Sequence, residues 1–265
     1  MKKRKDPEII YFKDELNDDF ANNGVDKKAT IPNNYKYINK SPFFKFVSFL
    51  LRFLFAIPVL WLANLLIFKP KVKNKKMLNQ LRRKGYYVYC NHVLPYDPII
   101  LPVKTQPWKA MLIISGHELF SIGGIVNWLV KHFYAIPIPN QDAEMAKNYE
   151  NCLSYHIKKG HRVLIYPEAH IWPYYNDIRP FKPVSFKYAV NDNAPIVVAT
   201  TTFKQRKGNK KPKPIIYLDG PFYPNETLSI HDRVTDLRNR AYEAMKWRAG
   251  QENNYAYIKY VKKED

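Results

Sequence analysis

The stretch Asn91-His92-Val93-Leu94-Pro95-Tyr96-Asp97-Pro98 sets a histidine and an aspartate five positions apart. Imidazole is the side chain whose ordinary pKa lies nearest neutrality, so it can accept a proton at physiological pH. A carboxylate beside it holds one tautomer and offsets the imidazolium charge, which is what a general base acting on a hydroxyl requires. The same spacing also suits an aspartate that merely caps a helix near an unrelated loop histidine. Asp is a good N-cap, and Pro98 fits a first helical turn. Later residues add to the chemistry. Glu168 and His170 fall in Tyr166-Pro167-Glu168-Ala169-His170, and the cations Arg179 and Lys182 enclose Pro180-Phe181.

These residues need elements to position them. Tyr86 to Cys90 reads as a strand ending just before Asn91, and Arg162 to Ile165 as a strand ending just before Tyr166. His92 and Glu168 then share the edge where open α/β sheets place their chemistry. Ala194 to Ala199 makes a third apolar strand. From Lys109 onward the chain alternates: strand Lys109 to Ile114, helix Val126 to Val130, strand Phe133 to Ile138. A helix from Asp142 to Lys159 follows, with Gly160 as its C-cap, and a last helix runs from Asp232 to Ala249. Strands are also expected around Val163, Ile196 and Ile215. This alternation predicts an α/β fold with a mostly parallel or mixed sheet covered by helices. Trp172, Tyr174 and Tyr175 read as core or lid packing.

Four blocks in this order resemble the glycerolipid acyltransferase family, whose members include the bacterial lysophosphatidic acid acyltransferases. The family's N-H-x4-D, F-P-E-G-T, P-F-K and P-I-V-P correspond to Asn91 to Asp97, Tyr166 to His170, Pro180 to Lys182 and Pro195 to Val198. The likeness runs from about Phe43 to Ala249. It implies transfer of a fatty acyl group from a thioester or acyl-phosphate donor to a lysophospholipid hydroxyl, first of all that of 1-acyl-glycerol-3-phosphate. His92 would be the general base, Asp97 its support, and Glu168 the residue that binds or positions the acceptor. His170 would either stand in for the family's threonine as a hydrogen-bonding group or simply sit on the loop. Asn91 is expected to tie its loop to the backbone, and loop amides or Lys182 to steady the oxyanion. No metal and no resident cofactor are implied. Acyl-CoA, acyl carrier protein or acyl phosphate would serve as donor substrate.

Three departures bear on the acceptor. Ala169 replaces the glycine of E-G-T, so its backbone is expected to avoid the positive φ that glycine tolerates. The family's Asp-Arg pair after a strand, whose arginine meets the acceptor phosphate, is absent from Ala135 to Asn140. Arg179 or Lys182 is the expected substitute. Val184 stands where the family has a glycine after P-F-K.

The formal net charge of +20 over 265 residues, with a pI near 9.7, implies an anionic partner such as lipid headgroups, nucleic acid or acidic protein. Lys204 to Lys213 is a basic loop that reads first as a solvated hairpin tip and otherwise as a contact with an anionic leaflet. Cys90 and Cys152 have neither a disulfide framework nor zinc-site spacing, and no signal-peptide pattern opens the chain. Residues 1–40 read as a polar extension, either a loose tail or one draped on the domain. Residues 41–70 read as a membrane-anchoring helical segment, and 71–265 as the acyltransferase domain. The charge-free part of the apolar segment, Phe53 to Phe68, is short for a span and contains Pro58, a natural break between two helices. Lysines flank both ends. The expected placement is monotopic, on the cytoplasmic face of a bacterial cytoplasmic membrane, with membrane lipids as partners and no nucleic acid. Two other readings use the same residues: the same fold acting on a glycolipid or neutral acceptor, and a non-enzymatic basic binder of membranes or nucleic acid.

Overall fold

A computed structural model describes residues 6–20, 30–122, 124–206, 211–253 and 255–263. In chain order the strands are β1 (Glu8–Phe12), β2 (Lys71–Lys73), β3 (Tyr86–Cys90), β4 (Met111–Ser115), β5 (Ala135–Pro137), β6 (Arg162–Ile165), β7 (Ile196–Lys204), β8 (Lys213–Phe222) and β9 (Ile258–Lys262). The helices are α1 (Pro42–Leu50), α2 (Ile57–Ala63), α3 (Asp97–Lys104), α4 (Glu118–Ser121), α5 (Gly124–His132), α6 (Ala143–Lys158), α7 (Phe186–Asn191) and α8 (Ile230–Glu252).

Among the described residues, seven strands form one sheet in the order β2-β8-β7-β3-β6-β4-β5. The β7–β8 pairing is antiparallel and the others are parallel. The central strands β3, β6 and β7 are nearly continuous apolar runs because helices cover both of their faces. One face packs Tyr87, Tyr89, Val163 and Val198 against α6, α7 and α8, and the other packs Val88, Leu164 and Val197 against α3. Local signals set the helix ends. The Asp142 carboxylate accepts from the Met145 amide at 2.7 Å and opens α6, while Gly160, at φ +78°, lets the chain turn back into β6.

Pro42–Phe68 is a single helical rod of 27 residues, long and apolar enough to cross a membrane by length and composition. The expected break at Pro58 is not there. Backbone angles remain right-handed helical at the junctions, and a π-turn at Leu51–Ala56 precedes α2, with the Ile57 N–H reaching back five residues to the Arg52 carbonyl. Pro58 thereby occupies the first turn of α2, where its missing N–H and fixed φ cost little. A second π-turn, Asn64–Phe68, closes the rod.

These wide turns have a geometric consequence. The residues facing the domain recur every fourth position, from Phe44 through Ser48 and Arg52 to Leu60, Asn64 and Phe68. In a regular α-helix such a repeat drifts about 40° per step, and turns with more residues take up part of that drift. Phe44 stacks on His132 at 4.2 Å, and Ser48 Oγ lies 2.7 Å from His132 Nδ1. Arg52 sits 5.0 Å from the Tyr134 ring centre. The Asn64 amide donates to the Ile99 carbonyl at 3.4 Å, and Phe68 stacks on Tyr96 at 4.0 Å. The rod therefore lies along the domain and touches it near both ends. Its outer face is apolar and exposed, with Phe43 at 76% and Ile67 at 70%.

The polar N-terminal region is folded onto the domain where it is described. β1 pairs in parallel with β9, and Ile31 and Tyr37 are buried in the main core.

Candidate active site

β3 and β6 run side by side and end at the same edge, so the loops that follow them meet. Asn91 is the first residue past β3. Its amide donates to the Thr201 carbonyl at 3.1 Å and accepts from the Thr201 N–H at 2.7 Å. A carboxamide, with one donor and one acceptor, continues the β3–β7 ladder for one more rung after the backbone has turned away. This is the backbone tie expected of Asn91, and it aims the next residue outward.

His92 follows, its side chain 19% exposed, with Nδ1 3.5 Å from Asp97 Oδ2. Asp97 is buried. Its Oδ2 accepts from the Val93 and Leu94 amides at 2.9 and 2.8 Å, so one carboxylate oxygen both closes the loop and faces the imidazole. Burial pushes the Asp97 carboxyl above the ordinary range, against the pull of His92 and of these amides. With Nδ1 turned to Asp97, Nε2 is the nitrogen left for a substrate. At 3.5 Å the contact is electrostatic, and such pairs often tighten only when substrate is bound.

Glu168 lies early in the loop between β6 and α7 and is buried. Its Oε2 accepts from the His92 N–H at 3.2 Å, and its Oε1 from the Arg179 N–H at 3.1 Å. The Arg179 guanidinium lies 3.5 Å from Oε2 and also donates to the carbonyls of Glu168, His170 and Glu15. Burial pushes the Glu168 carboxyl up and the Arg179 guanidinium down, and the charge of each opposes the shift of the other.

Two sequence expectations change here. Arg179 is fully buried and committed to Glu168 and to backbone carbonyls, so an acceptor phosphate reaches it only by displacing them. Ala169 has φ +62°, the very conformation its side chain was expected to avoid. The loop keeps the shape that glycine would allow, because the Glu168 side chain and the His170 carbonyl are both held by Arg179.

Lys182 is exposed on the segment before α7. His170 is half-buried, with Nδ1 3.9 Å from Asp19, so it faces the N-terminal segment. Asn140 likewise turns its amide to the Ile31 carbonyl at 2.9 Å.

Sequence reasoning gave Tyr166 no role beyond its block and Trp172 only that of packing, yet both touch His92. Tyr166 stacks on the imidazole at 4.1 Å, and Trp172 donates its backbone N–H to the His92 carbonyl at 3.1 Å. The available signal was aromatic: Tyr166 opens the Y-P-E block and Trp172 closes the turn after it. A surface cleft of about 460 Å³, lined by Asp219, Phe222, Arg240 and Trp247, opens at the opposite edge of the sheet and takes no part in this constellation.

Residues 69–201 match the protein-family model described as Acyltransferase. The fold is similar to the crystal structure of the 1-acyl-sn-glycerophosphate (LPA) acyltransferase, PlsC, from Thermotoga maritima. The TM-score is 0.55 and the identity 16%, over 80% of this chain and 89% of that one. At this identity the likeness is one of fold. No curated protein sequence matches the chain.

Proposed function

The chain belongs to the glycerolipid acyltransferase family, and we propose that within it the protein is a membrane-associated O-acyltransferase of lysophospholipid synthesis. The observation that carries this reading is the meeting of His92, Asp97 and Glu168 at one sheet edge, from loops 76 positions apart. In this account His92 Nε2 takes the proton of the acceptor hydroxyl as that oxygen attacks the acyl carbonyl. Asp97 holds the ring and offsets the charge that develops on it. The tetrahedral oxyanion is met by loop amides or Lys182, and its collapse expels the thiolate or phosphate of the donor. Glu168 fixes the His92 peptide and shapes the acceptor side.

The acceptor we favour is 1-acyl-glycerol-3-phosphate. With Arg179 buried, exposed Lys182 is the cation of the P-F-K block left to read a phosphate. A second reading, a glycolipid or neutral acceptor, draws on that burial and on the absence of arginine between Ala135 and Asn140. Donors of the acyl-CoA, acyl carrier protein or acyl-phosphate class suit the same chemistry.

The rod supports a monotopic placement. Ser48, Arg52 and Asn64 all turn toward the domain while Phe43, Phe46, Phe55, Leu62 and Leu66 face out, the inverse of a helix bathed in water. Contact with the domain near both ends keeps the rod flat along it, and flanking lysines suit an anionic leaflet. We place the protein on the cytoplasmic face of a bacterial membrane.

The test is incubation with labelled acyl donors and a panel of phosphorylated and neutral lyso-lipids, with identification of the product. Lys182→Ala is expected to raise KM for a phosphorylated acceptor well beyond its effect on kcat. Equal weakening toward neutral acceptors would assign the natural acceptor to the neutral or sugar-bearing class.

A further inference from the structure

The peptide of His92 is gripped on both sides. Its N–H goes to Glu168 at 3.2 Å, and its carbonyl receives the Trp172 N–H at 3.1 Å. The next residue is tied as well, with the Tyr174 N–H on the Val93 carbonyl at 2.8 Å. Neither grip is self-sufficient. Glu168 is held by Arg179, whose guanidinium lies 4.9 Å from the Trp172 ring centre. A fully buried guanidinium requires partners for its donors, and one it uses is the Glu15 carbonyl, at 3.3 Å, from the far N-terminal segment.

Trp172 is anchored from the same place. Its indole N–H donates to the Asp18 carbonyl at 2.7 Å, Phe12 and Phe20 pack on its ring at 4.8 and 5.2 Å, and the Phe20 N–H donates to the Ile171 carbonyl at 3.2 Å. Segment 8–20 is secured in turn by the pairing of β1 with β9 and by Tyr260, which stacks on Trp172 at 4.7 Å and donates to the Pro173 carbonyl at 2.9 Å. Segments 8–20 and 258–262, both outside the 69–201 region shared with the family, thus converge on the loop behind His92.

We propose that Arg179 and Trp172 are positioning residues for His92, and that the N-terminal arm, residues 8–20, is the brace that keeps them in place. The proposal rests on the acyltransferase reading of His92, and adds that the family's core is catalytically incomplete in this chain without its arm. The arm does not touch the reacting atoms. It acts through the Glu168 and Trp172 hydrogen bonds, which set the backbone of His92 and so the direction of its ring.

Two full-length variants test this: Arg179→Lys, which keeps charge but loses the fork, and Phe20→Ala, a half-buried site on the arm whose loss leaves the core intact. Each is expected to lower kcat about 10- to 100-fold, with both KM values within roughly threefold of wild type. Phe20→Tyr, which retains the ring, should restore kcat, and Arg240→Lys at the opposite edge should leave it unchanged.

Amide hydrogen exchange gives a readout independent of activity. In Phe20→Ala, exchange at His92, Trp172 and Tyr174 should accelerate while Tyr87 to Tyr89 of β3 stay protected. Unchanged exchange at His92 would overturn the brace, and so would a loss confined to KM. A wild-type protein that transfers no acyl group would instead sink the acyltransferase reading, and the exchange pattern would still decide whether the arm grips the loop.

Discussion

Asp97 and Glu168 are both buried carboxylates, yet their surroundings ask opposite things of a neutral replacement. Asp97 faces two amides and an imidazole, with no buried cation committed to it. Glu168 shares its site with fully buried Arg179. Asp97→Asn is therefore expected to lose at least tenfold in turnover while its melting temperature holds or rises, because a desolvated charge is removed. Glu168→Gln leaves Arg179 without its counter-charge and is expected to cost about 3 kcal/mol in stability. Denaturant titration beside turnover checks both, and a marked fall in Asp97→Asn stability would contradict this account. The pH dependence has a definite sign. The Asp97 carboxyl is held above its ordinary range, so the folded protein keeps a proton there that the unfolded chain has already released. Its contribution to stability is fullest in acid and falls as pH rises from the unfolded carboxylate value through the folded one. That slope should vanish in Asp97→Asn.

Ala169 yields another expectation at this scale. Its φ of +62° is strained for any residue with a Cβ, and glycine there should stabilise the fold by about 1 kcal/mol with activity retained. An Ala169→Gly protein no more stable than wild type would mean the loop has another shape. The sequence shows why Asn91, His92 and Asp97 belong together, since all three lie within one loop. It does not show that Arg179 is buried, because a guanidinium next to Pro-Phe-Lys reads as a surface cation until the segment carrying Glu15 is known to cover it.

At the scale of elements, strands with apolar runs were the most legible parts. β3, β6 and β7 lie where their hydrophobic stretches put them, and α6 and α8 begin and end within a few residues of their expected limits. The rod was legible as apolar but not as continuous. A proline argues for a break unless the preceding turn widens, and nothing local announces a π-turn. Its polar stripe of Ser48, Arg52 and Asn64, spaced in multiples of four, was present in the sequence, but a period of four becomes a single face only once the helix has widened. Deleting residues 41 to 69 is expected to shift the protein from membranes to the soluble fraction or into aggregates, since it removes the exposed apolar face proposed to meet lipid. Membrane retention of the deleted protein in a sedimentation assay would assign the anchor elsewhere.

For the whole molecule, charge, rod and catalytic edge point to one arrangement. Phe68 stacks on Tyr96, the residue before Asp97, so the end of the rod adjoins the loop that carries His92. On the proposed placement of the rod in the interface, His92 is within reach of a lysophospholipid hydroxyl that stays in the leaflet. Protease added outside sealed vesicles should leave both the N-terminal arm and the domain uncut if both lie on the cytoplasmic side. Cleavage of the arm from outside would mean that the rod spans. The central claim is that His92 takes the proton of an acceptor hydroxyl, and its most direct test compares wild-type and His92→Ala proteins in one assay with a labelled acyl donor and 1-acyl-glycerol-3-phosphate. Turnover is expected to fall by about 10²- to 10⁴-fold, with expression and membrane association unchanged. Near wild-type turnover by the alanine variant would contradict the account.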